Sequence, residues 1–421
     1  MQPITAKERN HLRELARRYL EYANLPIMAE RTKRWYAHNG LRGGQPMVVM
    51  ETGTFADDLM PPLACAGPLA RHLEWQLTAA IVNHELVDDD KVISPHVVVP
   101  WHINYRMFDL DAQRRAAADY KGRTLGFEIA PAITDLARDL PKLRRSTFSV
   151  DRAKTLAWRD TAADALGDLL DVRIENHALT WFAMPTYRAG HLLSDEGLFL
   201  AMATQPDLVR ALYDFIRDDI ISCLDWQERE GLLTLNNGNH YAGAGSYGFT
   251  DELPAPASES ARGGAVRLTD LWMNMNSQET TAISPGMFAD LVYPTYDVLA
   301  RKGGLVYFGC CEPVHAIWER CISRLPNLRK VSVSAWCDEA RMGEALAGGR
   351  VIYSRKPSPN FVGVGAFDPA AYSEHIAATL NAARGCQLEI ICRDIYTLCG
   401  DRTRAGQAVQ VIRRQIDKLW A

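Results

Sequence analysis

The feature that most constrains the fold is a regular alternation, after residue 178, of short apolar runs with longer amphipathic segments. Seven apolar runs follow one another: LTWFAMP (179–185), GLLTLNN (231–237), VRLTDLWMN (266–274), GLVYFG (304–309), RKVSVSA (329–335), RVIYS (350–354) and CQLEIIC (386–392). Segments between them, such as 206–229 and 285–301, carry apolar residues at helical spacing. Repeated strand–helix units of this kind predict a parallel βα construction.

The first part of the chain has a different rhythm. Helical patterns dominate it, and extended runs interrupt them: helices at 5–37, 69–86 and 111–170, and extended runs at 46–52 and 96–103. Seven later runs and one early run make eight, the strand number of a closed barrel. The sequence therefore predicts an α/β fold, with a (β/α)8 TIM barrel over 176–421 and a mainly helical N-terminal region over 1–175 that contributes one strand.

Composition narrows the classes of function. The 421 residues are 47% hydrophobic and 23% charged with a net charge of −4, which excludes a chain-wide basic surface for nucleic acid. No apolar run approaches the roughly 20 residues of a membrane helix, and the charged N-terminus does not resemble a signal peptide. We therefore expect a cytoplasmic protein with a small-molecule substrate. In that compartment the nine cysteines are expected to be free thiols, metal ligands or catalytic groups.

The strongest chemical signal is Cys310–Cys311–Glu312, directly after the run GLVYFG. Active sites of parallel barrels lie at the carboxyl ends of the strands, so these residues are expected at the barrel mouth. Thiolates are zinc ligands, and a glutamate there can be a further ligand or a catalytic base. Side chains alternate along a strand, so one of the two cysteines is expected to face the mouth, and periodicity does not say which. Two buried, inert thiols are the alternative.

Other candidates follow other runs. Cys399 lies in RDIYTLCGDRTR and could present its thiol to the same mouth. The glycine-rich loop NNGNHYAGAGSYG holds His240, a candidate ligand or acid–base group, between Asn239 and Tyr241, which are candidate cofactor contacts. Tyr187 and Arg188 in TYRAGH are further candidate cofactor contacts, and Asp338 in AWCDEAR is either catalytic or a helix N-cap.

Several segments are similar to the uroporphyrinogen decarboxylase superfamily, which includes the decarboxylase and zinc-dependent corrinoid methyltransferases. The segments are ATQPDLVRALYDFI, ISPGMFADLVYPTYDVL, LPNLRKVSVSAWCDEARMGEAL, RVIYSRKPSPN and LCGDRTRAGQAVQVIRRQI. The decarboxylase's N-terminal arginine signature is missing, which argues against porphyrinogen decarboxylation. The methyltransferases' His-x-Cys motif has lost its histidine, because Phe308 or Gly309 stands at that position.

This resemblance implies a methyltransferase. It implies zinc held by Cys310 or Cys311 and by Cys399, and we expect Glu312, His240 or His315 to replace the lost histidine. The implied methyl donor or acceptor is a corrinoid such as cobalamin, carried by a partner protein; a homodimer is also compatible. Two alternatives are a decarboxylase-like lyase that uses Arg188, Arg355 and Asp338, and a non-catalytic corrinoid or tetrapyrrole binder.

Overall fold

The computed structural model describes residues 3–110, 114–118, 124–176, 179, 181–254 and 265–420. The strands are β1 (Met47–Met50), β2 (His96–Pro100), β3 (Ile103–Arg106), β4 (Arg114–Ala118), β5 (Thr124–Ile129), β6 (Thr147–Val150), β7 (Asp171–Glu175), β8 (Tyr241–Gly243), β9 (Ser246–Tyr247), β10 (Trp272–Met275), β11 (Leu305–Phe308), β12 (Leu328–Val333), β13 (Ile352–Arg355) and β14 (Leu388–Cys392).

Helices fill most of the chain between these strands. They are α1 (Ala6–Ala23), α2 (Pro26–Asn39), α3 (Ala56–Leu59), α4 (Pro68–Leu86), α5 (Leu136–Asp139), α6 (Arg152–Leu166), α7 (Pro185–Leu193), α8 (Asp195–Thr204), α9 (Pro206–Arg229), α10 (Pro285–Met287), α11 (Tyr293–Ala300), α12 (Glu339–Leu346), α13 (Asn360–Gly363), α14 (Pro369–Ala382) and α15 (Arg404–Leu419). A π-helical turn, Phe288–Val292, joins α10 to α11, so the predicted helix over 285–301 is confirmed.

A six-stranded parallel sheet lies at the centre, in the order β1-β14-β13-β12-β11-β10. The predicted parallel βα construction is confirmed. Two of the runs predicted as strands differ: 231–237 is irregular, and the described residues of 179–185 form turns that lead into α7. Trp181 has a φ of 64°, which a strand does not allow. Within the described residues the hydrogen-bonded sheet therefore has six strands rather than eight.

The two faces of this sheet bury different kinds of side chain. Val48, Val306, Val331 and Ile390 point to one face, where the helices cover them in the largest apolar cluster. The opposite face carries aromatic, hydroxyl and charged side chains, and they are equally buried: Trp272, Tyr307, Lys330, Ser332, Ser354 and Glu389. Strand alternation thus separates an apolar layer under the helices from a polar interior.

In the part of the chain that the structure describes, side chains rather than further strands cover both edges of the sheet. At β1, Asp90 Oδ2 accepts a hydrogen bond from Val48 N at 2.7 Å, and Asp89 Oδ2 accepts one from Met50 N at 2.7 Å. At β10, Asn236 Oδ1 accepts from Trp272 N at 2.8 Å, and its Nδ2 donates to Trp272 O at 2.9 Å. The run 231–237 therefore pairs with β10 through an amide side chain.

The N-terminal region packs around a second apolar cluster. Leu12 of α1, Leu73 of α4, Val97 of β2 and Ala162 of α6 belong to it. β1 joins the main sheet. Residues 111–113 and 119–123 of the predicted helical range 111–170 lie outside the described residues. In the rest of that range the helical prediction is wrong except for α5 and α6, because β4 pairs with β5 and β3 pairs with β6, both antiparallel. Cross-strand pairing there overrides the helical propensity of the alanines.

The packing of α12 against α14 yields a stability prediction. A Cβ added to Gly343 would lie 1.8 Å from the carbonyl oxygen of Ala382, so the backbones must move apart. We expect Gly343→Ala to lower the free energy of unfolding by about 1–3 kcal/mol in urea denaturation. Gly53→Ala is the matched control, since nothing lies within 4 Å of its added Cβ. Equal effects for the two variants would contradict this packing.

Candidate active site

The carboxyl ends of β1, β11 and β14 bring together residues that are far apart in sequence. Glu51 follows β1, Cys310 and Cys311 lie just beyond β11, and Arg393 and Asp394 follow β14. Gly309 turns the chain after β11 with a φ of 99°. Because a Cβ on Gly309 would lie 3.0 Å from Ser332 Cβ, the turn packs tightly on the neighbouring strand.

Cys310 and Cys311 form a pair of adjacent thiols. Their sulfur atoms lie 3.5 Å apart, and Asp394 Oδ2 lies 3.0 Å from Cys311 Sγ, so Cys310 and Asp394 compete for the single thiol proton of Cys311. The hydrogen bond from Cys311 lowers the pKa of Cys310 against the opposing effect of burial, and the positive charge of Arg393 adds to the lowering. The same hydrogen bond, with burial, raises the pKa of Cys311. Cys310 is therefore the first of the two to become a thiolate, the nucleophilic and metal-binding form.

Arg393 provides the positive charge beside these thiols. Its Nε lies 3.2 Å from Glu51 Oε2 and 3.4 Å from Asp394 Oδ1, and its guanidinium is 5.5 Å from the ring centroid of Trp181. Burial opposes its charge, but the anionic forms of Cys310, Glu51 and Asp394 outweigh burial and raise its pKa. Its buried Nη1 has no hydrogen-bond partner among the described residues. A buried donor of this kind is available to a substrate.

Glu312 does not face the thiols as a free carboxylate. Its Oε1 accepts from Ser277 N at 2.7 Å and its Oε2 accepts from Cys310 N at 2.8 Å. Complete burial raises its pKa. Glu312 therefore joins two segments: the turn that holds Cys310 and the loop that follows β10.

The glycine-rich loop around His240 forms a second group. His240 Nε2 lies 3.5 Å from Glu175 Oε2, and His96 Nε2 lies 3.7 Å from Glu175 Oε1, so two histidines flank one buried carboxylate. Tyr241 connects this loop to the thiol site, because its hydroxyl donates to Glu51 Oε1 at 2.6 Å. Asn239 Nδ2 donates to Val92 O and to Ser94 Oγ.

The remaining predicted contacts are engaged elsewhere. Arg188 is buried on α7, 3.6 Å from Asp219 Oδ2 and 4.6 Å from the ring centroid of Phe182. Tyr187 packs on His191 with ring centroids 4.2 Å apart. Asp338 is a helix N-cap, as one of its two interpretations predicts, and its carboxylate accepts from Arg341 N at the start of α12.

Cys399 has different contacts from the paired thiols Cys310 and Cys311. It is exposed, and its Sγ donates to Gly363 O at 3.4 Å. Within the described residues, no three His, Cys, Asp or Glu side chains are arranged to hold a metal ion. As they stand, Cys310, Cys311, Glu312, His240 and Cys399 do not make a complete zinc centre, because Glu312 caps backbone amides and Cys399 contacts a carbonyl.

Beneath the thiols, the polar interior of the sheet holds an ion cluster formed by His38, Lys330, Glu389 and Lys356. Glu389 Oε2 lies 3.1 Å from Lys330 Nζ and 3.1 Å from His38 Nε2. Lys356 Nζ donates to Ser354 Oγ at 2.6 Å, and Ser354 Oγ donates to Glu389 Oε1. Burial lowers the pKa of Lys356 to about 7. The cluster links the rim of the sheet to α2 through continuous hydrogen bonds.

Sequence reasoning identified the thiols but missed Glu51, Trp181 and the ion cluster. The sequence does contain a signal for Glu51, because it directly follows the apolar strand β1, much as Cys310 follows β11 after one intervening residue. Glu389 stands between Leu388 and Ile390 in CQLEIIC, which indicates a buried charge, whereas Lys330 has a weaker signal because Arg329 precedes it in RKVSVSA. Trp181 had no such signal, because its position depends on a turn inside a run that reads as a strand.

Comparisons with known proteins agree with this architecture. No family model matches the chain, and no curated protein is significantly similar to it. Among solved structures, a methyltransferase from Methanosarcina mazei aligns with a TM-score of 0.50 and 13% identity, over 93% of this chain and 99% of that one. This chain shares the fold of that protein. The likeness extends through the N-terminal region as well as the central sheet.

None of the helices in the part of the chain that the structure describes has the length and apolar character of a membrane span.

Proposed function

We propose that the protein is a methyltransferase of the uroporphyrinogen decarboxylase superfamily that moves a methyl group from a corrinoid to sulfur, with Cys310 as the essential thiolate. The pair of adjacent thiols beside the buried Arg393 at the strand ends carries the proposal, since this positive charge favours the thiolate, the nucleophilic form of cysteine. The fold shared with a methyltransferase and the position at the strand ends support it.

The chemistry requires a nucleophile and a leaving group. The sulfur lone pair forms the bond to the methyl carbon, and the bond between that carbon and its donor breaks, with its electron pair leaving on the donor. Arg393 stabilises the thiolate before attack, and its unpartnered Nη1 can hold an acceptor atom of the substrate. Tyr241 and Glu51 keep Arg393 in place from the opposite side of the site.

The proposal is tested with methylcobalamin and a small thiol in the dark. We expect the absorbance of methylcobalamin to change and the methyl group to appear on Cys310 or on the added thiol, as detected by mass spectrometry. An unchanged methylcobalamin spectrum would contradict methyl transfer. A spectral shift without a methylated product would favour the corrinoid-binding alternative.

Zinc activation is the second part of the proposal and has its own measurement. If a substrate thiol is the acceptor, Cys399 must turn from Gly363 towards Cys310 and Cys311 to complete a site of three sulfurs. We expect purified protein to contain at least about half an equivalent of zinc, and Cys399→Ala to lower that content. Metal-free protein that still transfers methyl groups would leave Cys310 as the acceptor and remove zinc from the reaction.

The lyase alternative has less support from the contacts of its residues. Arg355 donates to the backbone oxygens of Val333 and Ser334 and pairs with Glu339, and Arg188 pairs with Asp219. Asp338 caps a helix. Release of CO₂ from a carboxylated substrate would nevertheless favour it over methyl transfer.

A further inference from the structure

A cavity of about 420 Å³ lies between the N-terminal helices and the main sheet. Its walls come from α1, α2 and α4, from β1 and β2, and from the loop that carries Asn239 and Tyr241. About half of the lining residues are aromatic or aliphatic, and the volume falls in the range of roughly 300–1,000 Å³ that small-molecule sites occupy. Trp75, 48% exposed, belongs to the lining and places part of it at the surface.

Three residues of this lining have a buried polar atom without a hydrogen-bond partner among the described residues. They are Arg31 Nε, His84 Nδ1 and Asn239 Oδ1. Arg31 is only 3% exposed, so water does not readily satisfy its Nε. His84 Nδ1 lies 3.9 Å from Asp88 Oδ1. Buried polar atoms are almost always paired, so the unpaired atoms of Arg31 and Asn239 point to a ligand that completes them.

The charges around the cavity are already neutralised. Arg31 pairs with Asp88 at 2.6 Å, Lys91 lies 3.4 Å from Asp89, and Glu51 pairs with Arg393 at 3.2 Å. A charged ligand would meet no unpaired opposite charge among these groups. Nothing would then offset the free-energy cost of removing its charge from water. The unpaired atoms instead require a ligand with one hydrogen-bond acceptor, for Arg31 Nε, and one donor, for Asn239 Oδ1.

We propose that this cavity binds an uncharged, largely apolar ring compound whose polar end both donates and accepts a hydrogen bond, as a carboxamide or a hydroxyl group does. The ring lies against Tyr19, Met28 and Trp75, and the polar end meets Asn239 and Arg31. The site is separate from the thiol pair, although Glu51 and Tyr241 belong to the surroundings of both. Binding therefore does not depend on methyl transfer.

Calorimetric titration with three small probes tests the polar end. Benzamide offers both a donor and an acceptor, N,N-dimethylbenzamide lacks the donor, and benzoate carries a charge. We expect benzamide to bind at least about 10-fold more tightly than either of the others, because each leaves a buried group unpaired. Equal binding of benzamide and its dimethyl form, or no benzamide binding at millimolar concentration, overturns the proposal.

Two variants place the binding in this cavity. Ala79→Trp fills the space from α4, and Asn239→Leu removes the acceptor; each is expected to weaken benzamide binding at least about 10-fold. Leu200→Trp, on an exposed position of α8 outside the cavity, is the matched control and should bind as the parent does. Circular dichroism confirms that each variant is folded. Unchanged binding by folded Ala79→Trp places the ligand elsewhere and overturns the proposal.

A final comparison separates this site from the proposed reaction. Cys310→Ser should bind benzamide with unchanged affinity, while its methyl transfer is lost. Loss of benzamide binding in Cys310→Ser would mean that the two sites are one, which contradicts a separate cavity. Benzamide binding without any methyl transfer in the parent protein would leave the cavity established and the proposed function wrong.

Discussion

Cys310→Ser is expected to reduce methyl transfer from methylcobalamin by about 100-fold or more, because a serine hydroxyl does not ionise where the thiol does. The measurement is the initial rate of methylcobalamin consumption with the thiol acceptor at saturation. Cys386→Ser is the matched control: that thiol is also buried, but it donates to Gly343 O near α12. Equal rates for parent and Cys310→Ser would exclude Cys310 from the reaction.

The ionisation of Cys310 can be followed without any substrate. The pKa of an ordinary cysteine thiol is 9.0, and that of Cys310 is lowered. Alkylation of Cys310 by iodoacetamide should therefore become fast at a lower pH than alkylation of an ordinary thiol does. Arg393→Gln removes the nearby positive charge and should move this profile to higher pH. A profile that does not move in Arg393→Gln would mean that Cys311 alone stabilises the thiolate.

Cys399→Ser distinguishes the two forms of the proposed chemistry. If Cys310 is the only essential sulfur, this variant should transfer methyl groups at the parent rate. If zinc joins the separated sulfurs, the rate and the zinc content should fall together. The exposed position of Cys399 makes a folding defect an inadequate explanation for either result.

Glu389→Ala is expected to lower the free energy of unfolding by about 3–5 kcal/mol, because it leaves the charge of Lys330 buried without its partner. Urea denaturation at neutral pH measures the change. Asp207→Ala is the control, since Asp207 pairs with Arg210 on an exposed surface of α9 and should matter little. A small loss for Glu389→Ala would show that the cluster contributes little to stability.

The same cluster fixes the direction of the pH dependence. Burial opposes the ionisation of Glu389, but Lys330 and His38 outweigh it and hold its pKa well below 4.5. A carboxylate with a depressed pKa stabilises the fold above its unfolded-state value, and that stability is lost as the pH falls. Burial also lowers the pKa of His38, which adds a loss of stability below pH 6.5. Glu389→Ala should therefore flatten the stability profile below pH 4.5, while the loss due to His38 below pH 6.5 remains.

Sequence patterns predicted the main architecture but not its closure. Five later runs became parallel strands, because β-branched and aromatic residues alternate there with the side chains of the polar interior. The strand predictions for 179–185 and 231–237 are wrong for local reasons. Trp181 has a left-handed backbone conformation in the first run, and in the second the side chain of Asn236, rather than its backbone, pairs with β10. Apolar periodicity does not reveal that a side-chain amide makes the hydrogen bonds that the backbone of a neighbouring strand would otherwise make.

For the candidate site, the sequence located the sulfur atoms but not their surroundings. Strand-end reasoning placed Cys310 correctly at the rim of the sheet. The influence of Arg393 on Cys310 depends on the spatial order of β11 and β14, which are separated by β12 and β13 in the sheet. That order arises from the winding of the chain and is not encoded near either residue. The zinc set joining Cys310, Cys311 and Cys399 stays a prediction.

The capped edges of the central sheet affect how this protein can meet other chains. The amides of Val48, Met50 and Trp272 already donate to aspartate and asparagine oxygens. An extended peptide from a neighbour would have to displace those oxygens before it could add to either side. Intermolecular β-augmentation is thus disfavoured at both edges of the central sheet.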